Sequence, residues 1–98
     1  MTINKKIEGT TLSYAPVGRL DTTTAPEVES DLTESIVGIK ELVLDLGDVA
    51  YISSAGLRVI LKVQKLMKSH GGMKVTGVNA TVMEVFEITG FTDFLTIV

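Results

Sequence analysis

The sequence predicts an α/β domain with a mixed, mostly parallel sheet, opened by an antiparallel hairpin and accompanied by about three to four helices. Three observations carry this. Strand-like runs alternate with segments of helical apolar spacing along the 98 residues, and strands separated by helices need crossovers, which favour parallel pairing. The first two strand-like runs are separated only by Gly9-Thr10, a gap short enough for a hairpin. The hydrophobic share is 45% with only 5% aromatic residues, the composition of an aliphatic core in a soluble protein. A chain of this length is expected to be one domain spanning 1–98.

Taken in order, Ile3 to Glu8 and Thr11 to Val17 are the hairpin strands, with Pro16 near an end or edge because it cannot donate to a ladder. Thr24 and Glu27 have capping-box spacing, and Pro26 suits a first helical turn. Val28, Leu32 and Ile36 then form one apolar face of a short helix that ends near Gly38. Glu27, Glu29, Asp31 and Glu34 are its solvated side. Glu41 to Leu46 is a near-continuous apolar run, the pattern of a central strand covered on both faces.

A second helix follows from Ser54. Leu57, Ile60, Leu61, Val63 and Leu66 point inward, Lys62, Lys65 and Lys68 are among its polar positions, and it ends at Gly71-Gly72. Met73 to Val78 is another strand. Asn79 caps a third helix through Thr89, with Val82, Val85, Phe86 and Ile88 as core contacts and Gly90 at its C-terminal end. Phe94 to Val98 is a last short strand.

Several function classes are excluded. A net charge of −3 without a lysine or arginine block argues against nucleic acid as the main partner. With no cysteine there is neither disulfide nor thiolate chemistry, and the single His70 builds no metal cluster, so no metal and no cofactor is expected. No apolar run approaches the roughly 20 residues that span a bilayer, and Met1 to Glu8 is too polar for a signal peptide. The chain is expected to be cytoplasmic and whole, with no direct membrane insertion. A serine hydrolase needs a base in contact with its serine. His70 lies at the far end of the helix that starts at Ser54, more than about 20 Å away at the α-helical rise. There is no Gly-x-Ser-x-Gly elbow and no phosphate-binding glycine loop ahead of a helix. Asp45, Asp48 and Asp93 are turn formers or acceptors. No catalytic residue emerges, and the chain is not expected to be an enzyme.

What stands out is Tyr51-Ile52-Ser53-Ser54-Ala55-Gly56-Leu57-Arg58, two adjacent serines where a buried strand passes into a helix. A serine there can cap the helix. The same place stabilises a phosphate, because a helix N-terminus carries partial positive charge. The loops Asp21 to Thr24 and Ala50 to Ala55 belong at the carboxyl ends of strands, where ligand-facing chemistry collects in such sheets.

Val43-Leu44-Asp45-Leu46 followed by Val49-Ala50-Tyr51-Ile52-Ser53-Ser54-Ala55-Gly56-Leu57-Arg58 resembles the signature of STAS domains, and among them the bacterial anti-sigma factor antagonists. Gly18-Arg19-Leu20-Asp21-Thr22-Thr23-Thr24-Ala25 resembles a second recurring segment of that family. The resemblance implies a STAS-like fold and a partner-switching role in transcription regulation. A serine-kinase anti-sigma factor of ATPase fold binds the unphosphorylated protein and releases its sigma factor. Phosphorylation ends that binding, and a PP2C-type phosphatase reverses it. The family commonly has Asp-Ser-Ser/Thr-Gly-Leu where this chain has Ser53-Ser54-Ala55-Gly56-Leu57. The implied phosphoacceptor is Ser54, with Ser53 as the alternative; Ser53 replaces the aspartate and Ala55 the second hydroxyl residue. Asp21 matches an acidic residue of the facing loop. The implied partner-binding residues are Asp21, Thr22, Thr23, Ser53, Ser54, Ala55, Gly56, Leu57 and Arg58. Gly56 serves either close approach of the partner or tight packing of the helix start on the sheet; Arg58 serves either phosphate or partner contact, or is solvated. The free chain is expected to be a monomer. A non-phosphorylated STAS scaffold binding a transporter ATPase or another regulator is the alternative, and a nucleotide or small-molecule sensor a weaker third.

Overall fold

Strand pairing begins with the expected hairpin. In the computed structural model, which describes residues 1–98, β1 (Thr2–Glu8) pairs antiparallel with β2 (Thr11–Leu20), and Glu8 stands opposite Thr11 across the turn. The chain continues through α1 (Ala25–Ser35), β3 (Glu41–Asp45), β4 (Val49–Ile52), α2 (Ser54–Lys68), β5 (Gly72–Thr76) and α3 (Ala80–Thr89), then a 3₁₀ turn at Phe91–Asp93. The sheet order is β1-β2-β3-β5, with β4 pairing β2. Apart from the hairpin, all pairs are parallel, as helical crossovers require.

β2 organises this sheet because it is long enough to serve two parallel partners. Its Thr11 to Tyr14 pair with β3, and its Gly18 to Leu20 pair with β4. The register shifts between Gly18 and Arg19, and Gly18 takes φ +116° there, a backbone region that glycine enters freely and other residues avoid.

The period-2 pattern of the strands sends Leu12 and Tyr14, Leu42 and Leu44, and Met73 and Val75 into one core with the helices. From α1 come Val28 and Leu32, and from α2 come Leu57, Val59, Ile60, Val63 and Met67. Burying an aliphatic side chain of this size contributes about 1.5–3 kcal/mol, so this face supplies most of the drive to fold. Opposite it, Ser13, Val43 and Lys74 stand in register with Ser13 and Lys74 exposed and Val43 half-buried. The Glu41–Leu46 run is therefore covered on one face, not both; Val43 is apolar yet lies on the open side.

Beneath the hairpin, Asp31 of α1 accepts a hydrogen bond from the buried Tyr14 hydroxyl at 2.8 Å and from Lys5 Nζ at 2.9 Å. The lysine bond, aided by the tyrosine bond and opposed by partial burial, lowers the Asp31 pKa. Burial, then the bond to Asp31, raises that of Tyr14.

Four local expectations are corrected. Thr24 and Glu27 do not form a capping box: the Thr24 hydroxyl donates to Arg19 O at 2.7 Å, and Glu27 lies 3.5 Å from the N-terminal amine. In α2, Val59 and Met67 are buried, while Leu61 and Leu66 sit half-exposed on the flanks of that face. Ile88 is 77% exposed, outside the stripe set by Val82 and Phe86. Phe94 to Val98 makes a single bridge, Val75 to Ile97, rather than a strand. The 3₁₀ turn before it sets Phe91 against both Phe86 and Phe94, and Leu95 is buried. α3 ends as expected, with Asn79 Oδ1 accepting from Val82 N at its start and Gly90 left-handed at its end.

Candidate functional site

The site is built where β2 and β4 leave the sheet together. Leu20 stands opposite Ile52 in the parallel pair, so Asp21 and Ser53 are the next residues of the two strands. The Ser53 N–H donates to Leu20 O at 2.9 Å and ties the two exits together. This brings the Asp21–Thr24 turn beside the start of α2.

Asp21 organises its own turn. Its Oδ1 accepts the N–H groups of Thr23 at 3.0 Å and Thr24 at 3.2 Å, and its carbonyl accepts from Ala25 N at 2.8 Å. The Thr24 hydroxyl accepts from Asp21 N at 3.0 Å while donating to Arg19 O. Such Asx geometry holds an aspartate in place without any partner. Thr22 and Thr23 are exposed on this turn.

The two serines stand in different surroundings, and the expected side-chain cap is not formed. Ser53 is the N-cap residue of α2 with extended backbone (φ −97°, ψ 176°), but its side chain makes no capping bond, and its Oγ is buried without a partner. Ser54 is the first helical residue and is exposed. The first turn of α2 carries no acidic residue, so its partial positive charge is uncompensated by side chains.

Ala55 is half-buried, and Gly56 and Leu57 are buried. A Cβ on Gly56 would come within 2.8 Å of Ile52 Cγ1, Leu20 Cγ and Leu20 O. Close packing of α2 on the exits of β2 and β4 accounts for this glycine, and Leu57, 7% exposed, belongs to the core. These two residues hold the site from beneath. Arg58 is exposed and lines a shallow hollow with Thr22, Pro26, Glu29 and Ala55.

Two residues outside the predicted set join the site. The Arg19 guanidinium sits 4.6 Å from the centre of the Tyr51 ring, and Arg19 Nε lies 3.8 Å from Asp21 Oδ2. A cation over an exposed aromatic face contributes about 0.5–1 kcal/mol, enough to fix Arg19 and Tyr51 as one unit beside the turn. The signal was the short Val49-Ala50-Tyr51-Ile52 run, which is β4; read as a loop, it left Tyr51 with no neighbour across a ladder.

The junction offers hydroxyls, a fixed carboxylate and helix-terminal N–H groups, a set suited to receiving or displaying a charged group. His, Asp and Glu side chains nowhere gather in a group of three or more that could hold a metal ion. No helix is long and apolar enough to cross a membrane.

The family model for the STAS domain matches residues 2–98. BtrV of Bordetella bronchiseptica is 39% identical over 88 residues, which cover 88% of this chain and 75% of that protein. The anti-sigma-B factor antagonist of Bacillus subtilis is 31% identical over 81 residues, covering 82% of this chain and 74% of the relative. The crystal structure of an anti-sigma factor antagonist from Mycobacterium paratuberculosis superposes with a TM-score of 0.89 at 20% identity, over 98% of this chain and 83% of that one, and so shares the fold.

Proposed function

The chain belongs to the STAS domain family, among the bacterial anti-sigma factor antagonists, and we propose that it works as the antagonist of a partner switch controlled at Ser54. In this reading the unmodified chain binds and sequesters an anti-sigma factor that is also a serine kinase of ATPase fold. Phosphorylation of Ser54 ends the binding, and a PP2C-type phosphatase restores it. The observation that carries the reading is the contrast between the serines: Ser54 is exposed at the head of α2, beside the Asp21 turn, while the Ser53 oxygen is buried.

The physics of the modification supports an interface switch. A phosphate adds about −1.5 to −2 charges, and a helix N-terminus tolerates them, so the domain stays folded. A partner surface shaped to a neutral hydroxyl must then desolvate that charge without a matching cation, which is costly. The Asp21 carboxylate and the Arg19–Tyr51 unit flank the position and offer the partner a charged and aromatic rim.

The test is incubation with an ATPase-fold kinase encoded in the same genome, with labelled ATP. The wild type and Ser53→Ala are expected to take label, Ser54→Ala to take none, and only the unmodified chain to co-elute with the kinase. Label lost with Ser53→Ala but retained in Ser54→Ala reassigns the acceptor. Binding with no label on either serine supports the scaffold alternative instead.

A further inference from the structure

Arg58 is the uncommitted cation of the junction. The chain has two arginines, and Arg19 is already stacked on Tyr51 and paired with Asp21. The ion pairs formed are those of the N-terminal amine, Lys5, Lys6, Arg19, Lys62 and Lys74, and Arg58 is in none of them. Glu29, which lines the same hollow, is paired with Lys62 at 3.5 Å.

Arg58 follows Ser54 by one helical turn, the spacing at which side chains on a helix meet. Side chains on a helix incline toward its N-terminus, which puts Ser54 within reach of an Arg58 rotamer. Arg58 lines two hollows, one with Thr22, Pro26 and Ala55 beside the helix start and one with Leu61, Lys62 and Lys65 further along α2. A planar guanidinium is the side chain best matched to phosphate, through two parallel N–H bonds. The second observation is at the N-cap, where Ser53 makes no capping bond, so no side chain occupies the first N–H groups of α2 and they stay available to an anion.

We propose that Arg58 is the internal receiver of the modification: the phosphate on Ser54 is held by the Arg58 guanidinium within α2, one turn away. This rests on Ser54 as the modified residue. The capture offsets the repulsion from Asp21 and commits to the phosphate an arginine that the unmodified chain leaves free. The other charged groups of the junction are already paired, Arg19 with Asp21 at the end of β2 and Lys62 with Glu29 between α2 and α1.

The test uses the full chain with phosphoserine installed at position 54 by genetic encoding, so its outcome does not depend on which enzyme phosphorylates the serine. The second phosphate pKa is followed by ³¹P NMR in the wild type, Arg58→Gln and Arg58→Lys. The wild type is expected to titrate about 0.15–0.4 unit below Arg58→Gln, with Arg58→Lys between them. The Arg58 Nε–Hε resonance of the wild type is expected to move on phosphorylation, a readout that needs no variant. Equal pKa values in wild type and Arg58→Gln, with an unmoved Nε–Hε resonance, overturn the proposal. Kinase label that misses Ser54 overturns the switch reading, while capture remains measurable on the installed phosphoserine.

Discussion

Replacing Gly56 by alanine sets two opposing effects against each other at the start of α2. Alanine is the better helix former by about 1 kcal/mol, so on propensity alone the variant gains stability. Its Cβ, however, would lie 2.8 Å from Ile52 Cγ1, from Leu20 Cγ and from Leu20 O. The first two belong to packed core side chains, and Leu20 Cγ is a branch point. The third is a backbone carbonyl held by the Ser53 N–H at 2.9 Å and cannot swing away. Relief requires α2 to move off the exits of β2 and β4. Overpacking of this kind costs about 1–3 kcal/mol, and a contact against fixed backbone belongs at the upper end. The net expectation is a loss of about 1–2 kcal/mol after the propensity gain. For a domain of this size that lowers Tm by about 4–16 °C. Thermal unfolding followed by circular dichroism, repeated in urea, measures it. Gly72→Ala is the control, because no atom lies within 4 Å of its Cβ position, and it should stay within about 0.5 kcal/mol of wild type. A Gly56→Ala protein with unchanged or raised Tm would refute the packing argument. Normal stability with lost partner binding would return Gly56 to the partner surface.

The remaining predictions test the cap, the hairpin cluster and the junction. Asn79→Ala loses both the cap on Val82 N and the 2.7 Å bond to Val49 O, and is expected to cost about 2 kcal/mol in urea unfolding; Asn79→Asp, which keeps the acceptor, should lie between. Asp31 has a lowered folded-state pKa, with its bond to Lys5 as the largest cause. Its stabilisation is therefore present above the unfolded carboxylate pKa of about 3.9 and lost as pH falls through the lower folded value. Unfolding free energy measured from neutral to acid pH should fall less steeply in Asp31→Asn. Ser54→Ala should abolish kinase labelling with little change in Tm, since its exposed hydroxyl makes no hydrogen bond to lose. Arg58→Gln should leave the unmodified fold intact and raise the second pKa of a phosphate at Ser54.

Where a residue's surroundings are set by its near neighbours, sequence and structure agree. Val28, Leu32 and Ile36 recur at helical spacing and are buried. Asn79 caps α3 and Gly90 ends it in the left-handed region. Gly9-Thr10 turns the hairpin. The capping-box spacing of Thr24 and Glu27 is an instructive miss: the local pattern was present, but Arg19 O, supplied by the end of β2, took the threonine hydroxyl. Ala50 to Ile52 of β4 fall within the predicted Ala50–Ala55 loop, since Val49-Ala50-Tyr51-Ile52 shows no strict alternation, and only Val49 and Ile52 are buried. Its identity as a strand comes from Gly18 to Leu20, about thirty residues earlier in the chain.

The hairpin, the three helices, β3 and β5, the aliphatic core and the serine pair at a helix start follow from spacing and composition, because hydrophobic period and turn chemistry act over a few residues. The contrast in surroundings between the two serines does not. It depends on where α2 begins, and that is set by the bond from Ser53 N to Leu20 O and by the packing of Gly56 against Leu20 and Ile52. Those contacts join strands distant in sequence, so only the folded sheet could bury the Ser53 oxygen, expose Ser54 and leave Arg58 free one turn away.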